Sequence, residues 1–567
     1  MIISTPTIAG SGAISAVFAG PAGTILAIAS SFPLLTNPPG RAAYMGQHLR
    51  HRLALHRPGE RAPFAVFDRL RLPINDVGFH PSDPVVAIAA GSYDGGYVFE
   101  GELWFWDWRS DRAWQPAKAV PEVERCRFSA DGRQLDILVR PWDEGSAEAE
   151  GADDPFDRFY PARVPYAPAA SAEPVAVVID AAAAIARDAL PVTAGGMRDA
   201  AAVERSLKDW LALGALDRRG AIWDLAFLDA RRVAAVHDGC LMEVHDLAAG
   251  TVKSFRQDGR HGAAILRTVP PVVVARAGPG FAGEGVDLLR FTGEALVDTA
   301  HFAGHYAFSA ASDGALVGRL DRHRAGKASG DVIMTSATAA PRLADLGHYD
   351  CFNHFLGIDG APELFVIQGT PPDQHQHKRL CRVRADGTVE ALWPLLADDG
   401  SPASHAMECL GCHVEDALGP AVVLAGRHYD PDPRRGERGF LFRRPVGPAE
   451  AGRTGSPGRL RRAAVPADTW RHATAAAASA MAFMPAAGLV AVAFLDGGLS
   501  LFDAADGTVA VAGRVTIGGI PTVIYAMDAH DETLALGTFD GRIAVVTVAA
   551  LKARAGAGRI ELGQGAI

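Results

Sequence analysis

The chain has 567 residues, of which 49% are hydrophobic and 21% charged, and its formal net charge is −10. It contains no run of about 18 apolar residues, so the sequence predicts no membrane-spanning helix, and its net acidity disfavours general binding to nucleic acid. The six cysteines are too scattered for a disulfide framework. No Lys or Arg precedes Arg41, although a secretory signal would begin with basic residues. We therefore expect a large cytoplasmic globular protein.

One pattern recurs about ten times along the chain: an apolar strand, a tight turn, a second strand running into Gly or Asp, and a third strand. The clearest copies are residues 480–504 and 524–548, where Gly-Gly or Asp-Gly separates alternating apolar segments, as in β-hairpins. Less regular copies begin near Ile14, Ile74, Val123, Ile222, Ala263, His305, Cys351 and Met407. Their usual spacing of about 45 to 60 residues is close to the length of a four-stranded propeller blade.

The third strand of the second unit ends in Trp106-Asp107-Trp108, and that of a later unit ends in Phe502-Asp503. On these residues the chain resembles the WD40-like β-propeller repeat proteins. The resemblance implies an all-β propeller of four-stranded antiparallel blades, and it implies a scaffold for partner proteins. The segment Met1–Ile8 offers a spare strand, which we predict closes the last blade.

Ten units exceed the usual four to eight blades. One large ring, two rings and a smaller number of true blades are all compatible with the pattern, and closure by the N-terminal strand favours one ring. The predicted organisation is three blade units in 1–178, a helical insertion in 179–216, about seven units in 217–552 and a tail in 553–567.

The insertion should contain two helices. Asp180 caps an Ala-rich segment that stops at Pro191, and a second helix begins near Met197. The apolar face of the second helix comprises Val203, Leu207, Trp210 and Leu211. Such a face predicts packing on the side of the propeller or, alternatively, docking of a partner helix.

The links from second to third strands are long in most units, for example Ser30–Gln47, Gly91–Gly101 and Pro141–Arg158. In a propeller these links lie on one face of the ring, and loops held by a rigid scaffold commonly carry recognition. We therefore predict that one or more partner proteins bind this face.

Three aromatic residues in the link of the second unit, Tyr93, Tyr97 and Phe99, are predicted to be exposed anchors for a partner. Trp104, Trp106 and Trp108 alternate along a strand and are predicted to be core. The link of the third unit is acidic, and it is either a solvated segment or a site for a basic partner. Its acidic residues are Asp143, Glu144, Glu148, Glu150, Asp153, Asp154 and Asp157.

Later units carry basic residues on the same predicted face. Those of the eighth unit that we predict to bind a partner are Arg427, His428, Arg434, Arg435 and Arg438. Guanidinium groups bind carboxylates and phosphates well, so an acidic protein segment or a phosphate-bearing ligand would suit them.

The sequence predicts no cofactor and no catalytic residue. Cys409-Leu-Gly-Cys412-His413 matches the pattern of c-type haem attachment, but it aligns with Ile74–His80 and is better explained as the first strand of a blade. Weak candidates for metal ligands are His375, His377, Cys409 and Cys412.

The predicted function is a noncatalytic scaffold. The high Ala, Gly and Arg content suggests a GC-rich genome and so permits a subunit of a multi-component bacterial complex. The alternative is a propeller hydrolase or lyase with a metal- or His-based site near the ring axis, where His375, His377 and His428 would meet.

Overall fold

The computed structural model divides into two compact units. One holds Thr7–Pro33 and His48–Asp217, and we call it the three-sheet unit; the other holds chiefly Met1–Pro6 and residues 218–567, and we call it the seven-sheet unit. The residues that the structure describes are 1–34, 48–117, 119–149, 158–167, 174–177, 185–186, 196–217, 219–277, 285–320, 330–344, 346, 358, 361–368, 379–384, 386–395, 406–428, 439–447, 466–556 and 558–563.

The chain begins with β1 (Ile2–Ser4), which belongs to the seven-sheet unit. The strands of the three-sheet unit are β2 (Ala13–Ala19), β3 (Leu26–Leu34), β4 (His48–His56), β5 (Ala65–Leu70), β6 (Ile74–Phe79), β7 (Val85–Tyr93), β8 (Phe99–Asp107), β9 (Arg112–Trp114), β10 (Val123–Phe128), β11 (Gln134–Val139), β12 (Arg158–Pro165), β13 (Ile185–Ala186) and β14 (Gly196–Met197). They form sheets in the orders β14-β2-β3-β4-β5, β6-β7-β8-β9 and β10-β11-β12-β13.

The seven-sheet unit follows the same scheme. Its remaining strands are β15 (Ile222–Asp229), β16 (Arg232–His237), β17 (Cys240–Asp246), β18 (Thr251–Phe255), β19 (Arg260–Leu266), β20 (Val272–Ala277), β21 (Gly285–Phe291), β22 (Leu296–Ala303), β23 (His305–Ala310), β24 (Leu316–Leu320), β25 (Asp331–Met334), β26 (Arg342–Ala344), β27 (Leu364–Gln368), β28 (Arg379–Val383), β29 (Val389–Pro394), β30 (Ala406–Val414), β31 (Ala421–His428), β32 (Gly439–Pro445), β33 (Trp470–Thr474), β34 (Ala478–Met484), β35 (Leu489–Phe494), β36 (Gly498–Asp503), β37 (Val509–Ile517), β38 (Ile520–Pro521), β39 (Ile524–His530), β40 (Thr533–Thr538), β41 (Ile543–Thr547), β42 (Ala555–Gly556) and β43 (Arg559–Leu562).

These strands make seven sheets in chain order. The first three are β15 to β18, β19 to β22 and β23 to β26; the next two are β27 to β29 and β30 to β33. The sixth runs β34-β35-β36-β37-β43-β42, with β38 also paired to β37, and the seventh runs β1-β41-β40-β39. Helices α1 (Glu144–Ala149), α2 (Ala200–Trp210) and α3 (Val548–Arg554) and 3₁₀ turns at Pro21–Gly23 and Pro485–Ala487 complete the described elements. The prediction of an all-β fold with four-stranded antiparallel blades is confirmed.

The predicted repeat starts coincide with the first strands of the sheets. The starts that do so are Ile14, Ile74, Val123, Ile222, Ala263, His305, Met407, Ala480 and Ile524. Cys351 lies outside the described residues.

The N-terminal strand closes the last sheet, as predicted. Ile2 pairs with Ala544, so β1 adds antiparallel to β41 as the outer strand. The Met1 amino group donates to the carbonyl oxygen of Val545 (2.6 Å). The seventh sheet would otherwise have three strands, and β1 supplies the fourth.

The sheets of the seven-sheet unit pack face to face in sequence. Buried apolar clusters join the second sheet to the third, the third to the fourth, the fourth to the fifth and sixth, the sixth to the seventh, and the seventh to the first. The first and second sheets are joined by a hydrogen bond from the Ile265 N–H to Asp224 (2.8 Å). Every sheet of this unit therefore has a neighbour on both sides, which is the arrangement of propeller blades.

Aspartates on first strands connect consecutive sheets. Asp76 accepts the N–H of Cys126 (3.0 Å), and Asp528 accepts the N–H of Phe227 (2.7 Å). Asp224 makes the same type of bond to Ile265. Because these carboxylates are surrounded by strands, burial raises the pKa of Asp76 and of Asp528.

The C-terminal residues extend the sixth sheet. After α3, β43 lies parallel to β37, with Arg514 opposite Arg559 and Ile517 opposite Leu562. Ile560 and Leu562 join the buried cluster between the sixth and seventh sheets. The described part of the predicted tail thus covers the outer edge of a sheet, which would otherwise expose unpaired backbone groups.

The second predicted helix of the insertion is α2, and its apolar face is covered. Val203, Leu207 and Leu211 are buried against side chains of β2 and β3, such as Val17 and Leu26. The first predicted helix is wrong at Ile185 and Ala186, which pair with Phe159 and Arg158 as strand β13. That pairing gives the third sheet its fourth strand, a tertiary contact that the Ala-rich composition does not reveal.

Replacing Asp199 with alanine should lower the free energy of unfolding by about 1 kcal/mol, because its carboxylate caps α2 by accepting the N–H of Ala202 (2.8 Å). Urea unfolding of the purified chain measures this loss. Asp209→Ala, near the C-terminus of the same helix, is the control and should not destabilise, since an acidic side chain there opposes the helix dipole. Equal losses in both variants would contradict the capping role.

Candidate interaction surface

The strands β7 and β8 form a long hairpin that extends beyond the other strands of the second sheet. Its strands stay paired through Gly91 opposite Gly101 and Tyr93 opposite Phe99, so the predicted link Gly91–Gly101 is mostly strand. A Cβ at Gly101 would lie 2.0 Å from the carbonyl oxygen of Pro121. The absence of a side chain at Gly101 thus lets the segment before β10 cross the hairpin, where the Glu122 N–H donates to the Phe99 carbonyl (3.0 Å).

The tip of the hairpin is held by one side chain. Asp94 Oδ1 accepts the backbone N–H groups of Gly96 (2.8 Å), Tyr97 (2.7 Å) and Val98 (3.0 Å). These bonds lower the pKa of Asp94, since they favour the charged carboxylate. The tip therefore presents Tyr97 and Val98 in a fixed conformation.

The segment that links β11 to α1 supports the hairpin from the third sheet. Val98 forms a backbone bridge with Asp143, and the Phe99 N–H donates to the Trp142 carbonyl (3.2 Å). The Tyr93 hydroxyl donates to Glu144 Oε1. This hydrogen bond raises the pKa of Tyr93 to about 12. Contacts from both the second and the third sheet thus hold the hairpin in place.

Three neighbouring apolar side chains are exposed on this hairpin and its support. Tyr97 is 48% exposed, Trp142 39% and Val98 38%, and we call these three residues the hairpin patch. Tyr93 is half-buried. Sequence reasoning did not include Trp142 or Val98, because their proximity depends on the bridge between two sheets.

The expectation that Phe99 is exposed is wrong. Phe99 is fully buried, its ring lies 5.1 Å from that of Tyr93, and the Arg140 guanidinium lies 6.0 Å from its centroid. The segment at 121–142 covers it. The tryptophans behave as predicted: Trp106 is buried, and Trp104 and Trp108 pack with it against the first sheet.

The hairpin patch lies among acidic residues. Asp94 and Glu100 are exposed, and Asp143 and Glu144 are half-buried. Neither 91–108 nor 141–157 contains Lys or Arg. The hydrogen bonds of Asp94 favour its charged carboxylate, and the two stretches carry acidic residues without basic ones, so the surroundings of the patch are negative.

The structure describes only part of the predicted basic surface. Arg427 and His428 end β31, are half-buried, and the His428 ring lies 5.1 Å from that of Phe440. Arg434, Arg435 and Arg438 lie outside the described residues. Partner binding by this group stays a prediction.

The weak metal candidates separate into two cases. Cys409 and Cys412 lie on β30, the first strand of the fifth sheet, where Cys409 belongs to the core and Cys412 packs against it. Burial raises the pKa of Cys412 to about 12, so the thiol is protonated. His375 and His377 lie outside the described residues, and the alternative enzyme function that depends on them stays a prediction.

A different group of potential metal ligands was missed by sequence reasoning. His237, Cys240 and Glu243 each offer one ligand atom, and these atoms lie within 4.8 Å of one another. All three residues are buried on the hairpin of β16 and β17. The signal in the sequence was His-x-x-Cys-x-x-Glu across a tight turn, a spacing unlike the paired Cys-x-x-Cys of common zinc sites.

No family model and no curated protein sequence matches the chain. Among solved structures, it is similar to the β-propeller domain of Cps50 (Swd1) from Myceliophteria thermophila, with 10% identity and a TM-score of 0.38 over 59% of this chain and 98% of that one. It is also similar to the computationally designed Ika8 protein, with 14% identity and a TM-score of 0.33 over 58% of this chain and 97% of that one.

No helix among the described residues is long and apolar enough to cross a membrane. The four-stranded antiparallel sheets and the closing N-terminal strand are the arrangement that the sequence predicted for a β-propeller.

Proposed function

We propose that this protein is a noncatalytic β-propeller scaffold that binds a partner protein through the hairpin patch. The observation that carries the proposal is the exposure of Tyr97 and Val98 at the tip of the hairpin and of Trp142 on the segment that bridges to it. Aromatic side chains in such positions are frequent binding hot spots. A rigid surface also loses less conformational entropy on binding than a mobile loop.

The charge around the patch indicates what kind of segment would bind. Asp94, Glu100, Asp143 and Glu144 surround apolar side chains, with no basic residue in the same two stretches of chain. A segment with an apolar side chain flanked by Lys or Arg would therefore match both the patch and its surroundings. The complex should weaken as salt rises, since exposed charges are screened.

The double variant Tyr97→Ala/Trp142→Ala should lose the partner while keeping the fold. The tagged chain is purified from its host at low and then moderate salt, and bound proteins are identified by mass spectrometry. Affinity for the purified partner should fall at least about tenfold, because one truncated hot spot alone costs about 2 kcal/mol.

Leu343→Ala is the control for this experiment, since Leu343 is 78% exposed on β26 and far from the patch in sequence. It should retain the partner fully. Circular dichroism shows whether each variant is folded. A partner that binds the double variant as tightly as the parent would contradict the proposed surface, and recovery of the chain alone from the host would contradict the scaffold function.

The predicted basic group needs a separate experiment. Charge reversal of Arg434, Arg435 and Arg438 would test whether a second, acidic partner binds there. Loss of the same partner in this variant and in the hairpin variant would extend the binding surface to both groups.

A further inference from the structure

We propose that His237, Cys240 and Glu243 form a Zn²⁺ site on the hairpin of β16 and β17. This site is independent of the proposed scaffold function and of the hairpin patch. It lies in the first sheet of the seven-sheet unit, whereas the patch lies in the three-sheet unit.

The distances between the ligand atoms suit a tetrahedral ion. Metal–ligand bonds of about 2.0–2.3 Å place neighbouring ligands of a tetrahedral Zn²⁺ roughly 3.3–3.8 Å apart. His237 Nε2 lies 3.2 Å from Cys240 Sγ and 3.5 Å from Glu243 Oε2. Both distances are close to that range, and all three ligand atoms lie within 4.8 Å of one another.

A β-bulge brings the ligands to the same side of the hairpin. In a regular strand Cys240 and Glu243 would point to opposite faces, because they are three residues apart. The register between β16 and β17 shifts between the pairs Ala235–Glu243 and His237–Cys240. The extra residue on β17 turns the strand so that both side chains approach His237.

Buried polar atoms without partners point to a missing ligand. Glu243 and His245 are 3% and 2% exposed. Glu243 Oε2 and both ring nitrogens of His245 have no hydrogen-bond partner among the described residues. His245 Nε2 lies 3.4 Å from Glu243 Oε2. His245 lies outside the group of three whose ligand atoms are within 4.8 Å of one another, and it contacts the Glu243 ligand instead. Glu243 Oε2 has only ion-pair contacts at 3.4–3.6 Å, to His245, His237 and Arg219, and coordination to a cation would satisfy this buried oxygen.

Two contacts must change when the metal binds. The Arg219 guanidinium lies 3.6 Å from Glu243 Oε2, so it competes with a cation for this oxygen. The Gly239 N–H donates to His237 Nδ1 (3.0 Å). An imidazole that binds metal through Nε2 carries its proton on Nδ1, so this hydrogen bond must break. The Arg219 guanidinium also donates to Ser4 Oγ and to the Gly541 carbonyl oxygen.

The donor set selects the metal. A thiolate with an imidazole and a carboxylate suits Zn²⁺ better than Mg²⁺ or Ca²⁺, which prefer oxygen ligands.

The test is titration of the purified full chain with Zn²⁺, together with metal analysis of the chain as isolated. We expect one Zn²⁺ per chain, and a thiolate charge-transfer absorption band when Co²⁺ replaces Zn²⁺. Cys240→Ser should abolish the band. His237→Gln and Glu243→Gln should lower Zn²⁺ affinity at least tenfold, and His245→Gln should lower it while the band remains. Cys126→Ser, which replaces a buried thiol elsewhere, is the control and should change neither the Co²⁺ band nor the Zn²⁺ affinity.

The variant Arg219→Gln distinguishes a metal site from a cluster that forms ion pairs without metal. Removal of the competing guanidinium should raise Zn²⁺ affinity at least tenfold. Absence of the Co²⁺ thiolate band in the parent chain would overturn the proposal even if a ligand variant fails to fold. Binding confined to Arg219→Gln, or unchanged by all ligand variants, would also overturn it, because the native cluster would then be an ion pair only.

Discussion

Replacing Asp224 with alanine should lower the free energy of unfolding by about 3–5 kcal/mol, the range for breaking a buried ion pair. Asp224 is buried on β15 and accepts two hydrogen bonds from the Arg267 guanidinium (2.8 and 3.0 Å). It also accepts the Ile265 N–H of the next sheet. The variant takes the carboxylate away from the Arg267 guanidinium, which then has neutral carbonyl acceptors such as that of Leu225, and it takes away the acceptor of the Ile265 N–H.

Urea unfolding of the purified chain measures the loss, and two variants identify its cause. Asp224→Ala/Arg267→Met removes the stranded charge as well, so it should be more stable than Asp224→Ala alone. Glu294→Ala breaks an exposed ion pair with Lys253 (2.6 Å) in the same unit and should change stability little. A similar small effect of Asp224→Ala would mean that water replaces its contacts at no cost.

The repeat pattern predicted the individual sheets well because its information is local. Alternation of apolar residues and a Gly or Asp turn specify a hairpin within about 25 residues. The partition into seven sheets and three depends instead on which faces pack together across hundreds of residues. The buried cluster that contains both Ile222 and Ala526, for example, closes the seven-sheet unit and has no sequence signal.

The candidate binding and metal residues were predicted less completely than the sheets, and individual residues show why. Phe99 shares a face of β8 with Leu103 and Phe105, both buried against the third sheet, so period-two alternation already indicated burial. Its place in an apparent loop obscured this. Trp142 joins the hairpin patch only through a backbone bridge to Val98 from another sheet. His237, Cys240 and Glu243 come together through a β-bulge, which is not readable from spacing.

Acid should destabilise the protein through two histidines of β4. His51 and His56 are 2% and 0% exposed, and burial lowers the pKa of each to about 4. His51 Nδ1 is hydrogen-bonded to Ser31 Oγ (2.9 Å), and His56 Nδ1 to the Glu60 carbonyl (3.2 Å). Both rings are neutral in the folded chain at pH values where the unfolded chain, with a histidine pKa of about 6.5, binds protons.

Proton linkage gives the direction in which the free energy of unfolding changes with pH. Between about pH 6.5 and pH 4 the unfolded state binds more protons, so the free energy of unfolding falls as pH falls, by about 2 kcal/mol per histidine at pH 5. Urea unfolding at pH 7 and pH 5 should show this loss in the parent chain, and His51→Gln and His56→Gln should each show a smaller one. His301→Gln, at a side chain that is 61% exposed, should keep the full loss. If the two β4 variants lose as much stability as the parent, the acid sensitivity arises from other groups, because glutamine does not titrate in this range.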